Sequence, residues 1–128
     1  MGMRFLAETI YRRFMTGKPE QIAATIAQLL SSPNGTILVS DDDGHITGMI
    51  GVLIFDHPFS GERTASDVAW WVDPEARGHG IRLLHAAEEW ARENGAKNMV
   101  MVAPDTRVGG IYARLGYTPI ELSYQKGL

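Results

Sequence analysis

The residues with the clearest chemical potential lie in a glycine-rich segment between a predicted strand and a predicted helix, Val72-Asp73-Pro74-Glu75-Ala76-Arg77-Gly78-His79-Gly80-Ile81-Arg82. A helix start leaves about four backbone N–H groups unpaired and carries roughly half a positive charge. Gly78 and Gly80 have one residue between them, which allows the backbone to approach a bulky anion. Arg77, His79 and Arg82 add side-chain donors around the same point. The segment therefore predicts a phosphate or pyrophosphate site, and the competing interpretation is a turn that merely begins a helix.

Two common nucleotide-binding patterns do not match this segment. A P-loop requires Gly-x-x-x-x-Gly-Lys-Ser/Thr, which the sequence lacks. A Rossmann fingerprint requires a third glycine, where this chain has Leu83, and an acidic residue after the second strand. The first acid after the apolar run Met99–Ala103 is Asp105. The predicted phosphate site thus belongs to neither of these classes.

Composition limits the remaining classes of function. The chain has 128 residues, the size of one domain, so we expect a single domain over residues 1–128. Its 45% hydrophobic and 21% charged content is ordinary for a globular protein. A net charge of −3 argues against nucleic acid as a partner, because binders of phosphate backbones carry a basic excess.

Cysteine usage and hydropathy exclude several further classes. The chain has no cysteine, which excludes disulfides, thiolate zinc sites and a cysteine nucleophile. The apolar runs are much shorter than the roughly 20 residues needed to span a bilayer, so no membrane partner is expected. These features together predict a cytoplasmic protein.

Hydrophobic spacing predicts the elements that position the glycine-rich segment. Two amphipathic helices are predicted, over Arg4–Met15 and over residues 19–31. Three strands follow, over Thr36–Ser40, over His45–Asp56 and from Glu62 or Arg63 to Asp73. Because an Asp-Gly turn joins the first two strands, this part of the chain predicts an antiparallel meander.

The second half of the chain changes to a strand–helix–strand pattern. A strong helix follows Gly80, and the continuous apolar run Met99–Ala103 predicts a strand buried on both faces and parallel to the strand before the helix. A short helix over about 108–115 and a last strand over Tyr117–Gln125 complete the order. The predicted fold class is α/β: a mixed, mainly antiparallel central sheet with one parallel strand pair and helices on both faces.

Two separated motifs within this order resemble the GNAT family of N-acetyltransferases. Arg77-Gly78-His79-Gly80-Ile81-Arg82 resembles the family's acyl-CoA pyrophosphate loop, Arg/Gln-x-x-Gly-x-Gly/Ala, and Val72-Asp73-Pro74 matches its Val-x-Pro lead-in. Ile111-Tyr112-Ala113-Arg114-Leu115-Gly116-Tyr117 resembles the family's Tyr-x-x-x-Gly-Phe/Tyr segment. The resemblance covers roughly residues 36–126, and the predicted order of elements also matches the family fold.

The resemblance implies acetyl-CoA as co-substrate, and the spacing of the histidines does not support a metal site, so no metal is expected. The residues implied to hold the pyrophosphate are Arg77, Gly78, His79, Gly80, Ile81 and Arg82. In this family the strand before the loop carries a bulge and splays from the next parallel strand. The pantetheine arm lies in that gap and bonds to the backbone, here that of Trp70, Trp71 and Val72, where one N–H polarises the thioester carbonyl.

Two of the positions implied to contact the cofactor depart from the family pattern. Arg82 stands where a small residue is usual, and we expect it to grip the phosphates. Asp105 stands where the family often has asparagine, so any cofactor contact there is made without the amide.

The resemblance also implies two catalytic residues. Tyr112 matches the family's general-acid tyrosine, and a phenol with an ordinary pKa near 10 suits protonation of a departing thiolate. An attacking amine must lose a proton, and Asp67 lies on the central strand where family members often carry an acid. The structural alternatives are a tyrosine packed on the sheet and a solvated strand carboxylate.

These observations predict an N-acetyltransferase that moves an acetyl group directly from acetyl-CoA to the primary amine of a small molecule or peptide. A non-catalytic acyl-CoA-binding or regulatory module of the same fold is the alternative. Small members of this family often pair through sheet edges or C-terminal strands. The strand predicted over Tyr117–Gln125 is apolar-rich, so we also expect a homodimer.

Overall fold

The computed structural model describes residues 10–128, so most of the helix predicted over Arg4–Met15 lies outside the described residues. The described part begins with a 3-10 turn over Ile10–Arg13. The α-helices are α1 (Pro19–Ser31), α2 (Gly80–Glu93) and α3 (Thr106–Arg114). The strands are β1 (Gly35–Asp42), β2 (His45–Asp56), β3 (Arg63–Val72) and β4 (Asn98–Val100).

The strands form one sheet in the order β1-β2-β3-β4. The first two pairings are antiparallel, and β3 and β4 are parallel. Asp43 and Gly44 form the first hairpin turn with φ of 53° and 85°, the left-handed conformation that tight hairpins require. The structure thus confirms the predicted meander, the parallel pair and the mixed α/β fold.

Helices cover both faces of the sheet, as predicted. A Cβ placed on Gly51 would lie 3.3 Å from the side chain of Leu29 in α1, whereas one placed on Gly48 would lie 3.5 Å from that of Leu83 in α2. Residues 48 and 51 project from opposite faces of β2, because side chains alternate along a strand. The α2 face holds the main core, in which buried residues of β2 pack with buried residues of α2: Ile50, Val52, Ile54, Leu83, Leu84, Ala87 and Ala91.

Two predicted strands differ from the structure. The strand predicted over Met99–Ala103 ends at Val100, and Val102 is 47% exposed, so burial on both faces was wrong for its second half. The strand predicted over Tyr117–Gln125 was wrong, since residues 117–128 form neither helix nor strand. The apolar side chains that alternate along this segment, Ile120, Leu122 and Tyr124, are 71%, 81% and 88% exposed. Alternation gives a strand only where the segment pairs with an edge, and within the described residues this segment pairs with neither free edge of the sheet, β1 or β4.

No helix within residues 10–128 combines the length and apolar character needed to cross a membrane.

Candidate active site

The strand that leads into the glycine-rich segment carries a bulge at Val68. Gly51 of β2 pairs with Ala69, whereas its neighbour Val52 pairs with Asp67, so Val68 is the extra residue on β3. A bulge bends its strand and turns the side chains beside it. The structure therefore places an irregularity in the strand that the family resemblance implies should have one.

Next to this bulge, β3 and β4 separate. The two strands pair over Thr64–Ser66 and Asn98–Val100. Beyond that point the N–H of Val102 donates to the side-chain Oδ1 of Asp67 at 3.1 Å, rather than to the β3 backbone. Here a side-chain carboxylate, and not a backbone hydrogen bond, links β3 to the segment after β4, so a gap has opened between the two strands.

The backbone of Val102 brings both predicted catalytic residues together. Its N–H bonds to Asp67, and its carbonyl accepts the hydroxyl of Tyr112 at 3.2 Å. Val102 is not predicted as a site residue, because its only signal in the sequence is a position within an apolar run. Such a run gives no indication of where its peptide groups bond after the strand ends.

The carboxylate of Asp67 is partly buried, unlike the solvated strand carboxylate that was the alternative to a catalytic role. Burial raises its pKa from an ordinary 3.8 to about 6, and the N–H of Val102 opposes part of that rise. A hydrogen bond to the charged form favours ionisation, but desolvation is the larger effect here. Asp67 is therefore ionised at neutral pH, with a pKa close enough to neutrality to exchange protons readily.

Tyr112 lies in α3 with its ring inside the core, 5% exposed. Burial raises the pKa of its phenol above the ordinary value, and the negative charge of Asp67 raises it further. The ring stacks on Trp70 with centroids 5.7 Å apart and lies at the same distance from the ring of Tyr117. The phenol is consequently protonated at neutral pH and held at the gap between β3 and β4.

The indole of Trp70 reaches from Tyr112 to the start of α2. A Cβ on Gly80 would lie 3.3 Å from Cζ2 of this ring, so α2 begins directly against the indole. Within residues 10–128, Nε1 of Trp70 is the one buried side-chain nitrogen or oxygen that has no hydrogen-bond partner. The neighbouring Trp71 differs, since its Nε1 donates to Oδ1 of Asp73 at 3.1 Å. Trp70 thus presents an unused donor between the two predicted halves of the site.

The glycine-rich segment folds as a 3-10 helix over Pro74–His79, with a kink at Ala76, and continues into α2. His79 is the N-cap of α2 and makes no side-chain capping bond. A Cβ on Gly78 would meet no described atom within 4 Å, so the backbone there faces open space. His79, Ile81 and Arg82 are exposed, whereas the side chain of Arg77 lies outside the described residues. This geometry leaves room for an anion at the start of α2.

Asp105 has a structural role at a different helix. Its Oδ1 accepts the N–H of Val108 at 2.9 Å and caps the start of α3. This cap explains why α3 begins at Thr106, slightly before the predicted start at Val108. The structure does not bring Asp105 into hydrogen-bond contact with Asp67 or Tyr112.

These residues fit an acyl-CoA molecule. The start of α2 has space for phosphates, β3 and β4 stop pairing beyond Ser66 and Val100, and the indole of Trp70, with its unpaired donor, lies against Gly80 and stacks on Tyr112. Among the described residues, no cluster of three or more histidine, aspartate or glutamate side chains could hold a metal ion.

Comparisons with known proteins agree with this geometry. The sequence model described as Acetyltransferase (GNAT) family matches residues 4–117. A transcriptional regulator from Bacillus halodurans C-125 has a similar structure, with a TM-score of 0.80 and 20% identity over 99% of this chain and 91% of that one. The enzyme AAC(6')-Iy, solved with a bisubstrate analogue CoA-S-monomethyl-acetylneamine, gives a TM-score of 0.75 and 17% identity over 98% of this chain and 92% of that one.

A third similar structure is that of a protein whose name states its acceptor. Ribosomal-protein-alanine N-acetyltransferase from Brucella melitensis biovar Abortus 2308 gives a TM-score of 0.69 and 21% identity, over 98% of this chain and 90% of that one. A search of curated proteins found no match. At these identities the structures show a shared fold, while the family match covers most of the chain.

Proposed function

Because the chain belongs to the GNAT acetyltransferase family, we propose that it transfers an acetyl group from acetyl-CoA to a primary amine. The observation that carries this proposal is the meeting of Asp67 and Tyr112 on Val102, where β3 and β4 separate. One residue of the pair is ionised at neutral pH and the other is protonated, which are the states required of a base and an acid. We propose that residues 1–128 act as one domain in this reaction.

Asp67 would remove the proton that the amine must lose. In the transfer, a C–N bond forms as the C–S bond of the thioester breaks, one proton leaves the amine, and one proton is gained by the thiolate. A carboxylate with a pKa of about 6 is available as the base at pH 7. Tyr112 would donate to the departing sulfur. Its hydroxyl bonds to Val102, which also bonds to Asp67, so the proposed acid and base lie beside the same residue.

Binding of the acyl-CoA would divide between two elements. Arg77, Arg82 and the backbone from Gly78 to Arg82 would hold the pyrophosphate, supported by the open space at Gly78. The backbone of Trp70, Trp71 and Val72 would bind the pantetheine arm and polarise the thioester carbonyl. A contact from Asp105 belongs to the same proposal, although its Oδ1 also caps α3.

The acceptor would be the primary amine of a small molecule or a peptide. AAC(6')-Iy was solved with an acetylneamine conjugate of CoA, and the Brucella enzyme is named for an alanine of a ribosomal protein. Both names support an amine acceptor, and their identities of 17% and 21% favour neither class for this chain. We also propose a homodimer, which the exposed apolar side chains of Ile120, Leu122 and Tyr124 support. A cytoplasmic location remains a prediction.

A non-catalytic acyl-CoA-binding module is the second candidate, and the environment of Tyr112 favours it. The hydroxyl of Tyr112 already donates to Val102, and burial makes its phenol a weaker acid than an ordinary tyrosine. Proton transfer from such a phenol to a thiolate, whose ordinary pKa is about 8.5, is uphill. In this module Tyr112 would serve packing alone.

Two measurements test these functions in sequence. Calorimetric titration with acetyl-CoA establishes whether the chain binds the co-substrate. Release of the CoA thiol is then followed with a panel of amines that includes an aminoglycoside, a peptide with N-terminal alanine and simple alkylamines. Turnover of any of these amines supports the enzyme, and binding without turnover of the panel supports the module. Absence of acetyl-CoA binding contradicts both.

A further inference from the structure

The indole N–H of Trp70 is a buried donor that the folded chain does not use. Its Nε1 has no partner within the described residues, although nearly all buried polar groups in proteins are hydrogen-bonded. The contrast with Trp71 is informative, because that indole has a carboxylate partner in Asp73. A ligand bound at this candidate site could supply the missing acceptor.

The position of the ring identifies which part of a ligand would do so. One edge of the indole lies against Gly80 at the start of α2, where the pyrophosphate would bind. One face stacks on Tyr112, which would lie at the thioester end. A chain that joins these two ends must run along Trp70, and in acyl-CoA that chain is the pantetheine arm with its two amide groups.

We propose that the side chain of Trp70 recognises the pantetheine arm by donating its indole N–H to an amide carbonyl of that arm. This inference rests on the proposed function, and it adds a side-chain contact to the backbone contacts described above. Because Nε1 is shielded from solvent in the structure, this contact requires the indole to move when the arm binds. The binding surface of β3 is then formed partly by a side chain and not by the backbone alone.

Trp70→Phe tests this proposal, since phenylalanine keeps a ring on Tyr112 but has no donor. Affinity is measured by calorimetry for CoA, which has the pantetheine arm, and for adenosine 3′,5′-bisphosphate, which lacks it. We expect the variant to bind CoA about 3- to 10-fold more weakly, the usual net effect of one hydrogen bond, and to bind the bisphosphate normally. Trp90→Phe, which changes a half-buried tryptophan near the C-terminal end of α2, is the matched control and should change neither affinity.

A spectroscopic readout on the wild-type chain keeps the test decisive if Trp70→Phe does not fold. The three tryptophans give three indole N–H signals, which Trp71→Phe and Trp90→Phe assign by elimination. CoA should shift the Trp70 signal downfield, and the bisphosphate should leave it in place. An unmoved signal, an unchanged affinity for CoA, or an equal loss for both ligands overturns the inference. Failure of the wild-type chain to bind CoA at all is a different result, which removes the proposed function and this inference with it.

Discussion

Asp67→Asn should stabilise the fold and impair the reaction at the same time. The carboxylate lies beside the gap between β3 and β4, where burial raises its pKa from 3.8 to about 6. Asparagine has nearly the same shape, and its amide oxygen can still accept the N–H of Val102. The substitution therefore removes the charge with little change to the packing or the hydrogen bond.

The size of the stabilisation follows from the shift in pKa. A group whose folded pKa lies above its unfolded value is harder to ionise in the folded protein, so its contribution to stability is lost as pH rises through the folded pKa. A rise from 3.8 to about 6 corresponds to at most about 3 kcal/mol. The wild-type chain has almost none of this penalty near pH 3, below the unfolded pKa of 3.8, and carries all of it at pH 8. We expect Asp67→Asn to match wild type near pH 3 and to unfold with a free energy up to about 3 kcal/mol higher at pH 8.

Urea unfolding at both pH values measures the stability, and thiol release with an accepted amine measures the reaction. For wild type, kcat/KM should rise through pH 6 as Asp67 ionises, whereas Asp67→Asn should lack this limb and turn over roughly 10²- to 10⁴-fold more slowly at pH 8. Asp42→Asn is the matched control, since Asp42 is exposed at the end of β1 and should affect neither quantity.

Two results would refute this reasoning separately. An unfolding free energy at pH 8 that equals or falls below that of wild type would mean that Asp67 is not desolvated. Normal turnover by Asp67→Asn, with its acid limb intact, would mean that another group takes the amine proton.

Three further predictions concern the acid, the anion site and assembly. Tyr112→Phe should slow turnover by roughly 10²- to 10⁴-fold and leave acetyl-CoA affinity nearly unchanged in a calorimetric titration, whereas turnover within about threefold of wild type would support the packing role. Gly78→Val should weaken acetyl-CoA binding by about tenfold with an unchanged melting temperature, because its Cβ meets no described atom within 4 Å; unchanged affinity would remove the anion site. Gly80→Val is a poorer test, since its Cβ would press to 3.3 Å from both Trp70 and Val72 and lower stability as well. Light scattering at micromolar concentration should give a dimer mass, and Leu122→Asp should give a monomer because Leu122 is 81% exposed; a monomeric wild type would contradict the dimer.

The sequence determined the features that depend on local spacing. The Asp-Gly turn predicted the first hairpin because few residues adopt the left-handed conformation found at Asp43 and Gly44. The change from two-residue to helical spacing of apolar residues predicted the meander, the parallel pair and helices on both faces. The glycines before α2 predicted an open helix start, and the structure has open space at Gly78.

Tertiary structure decided the features that depend on which groups meet. The predicted strand over Tyr117–Gln125 did not form, because alternation in one segment does not specify whether that segment pairs with an edge of the sheet. Asp67 and Tyr112 were predicted separately, and only the tertiary fold, in which β3 separates from β4, brings both into hydrogen bonds with Val102. The raised pKa of Asp67 arises from burial by residues distant in sequence, and the unpaired indole of Trp70 from the absence of an acceptor among its described neighbours. Desolvation and hydrogen-bond pairing are properties of a packed three-dimensional environment, so no local pattern in the sequence could specify them.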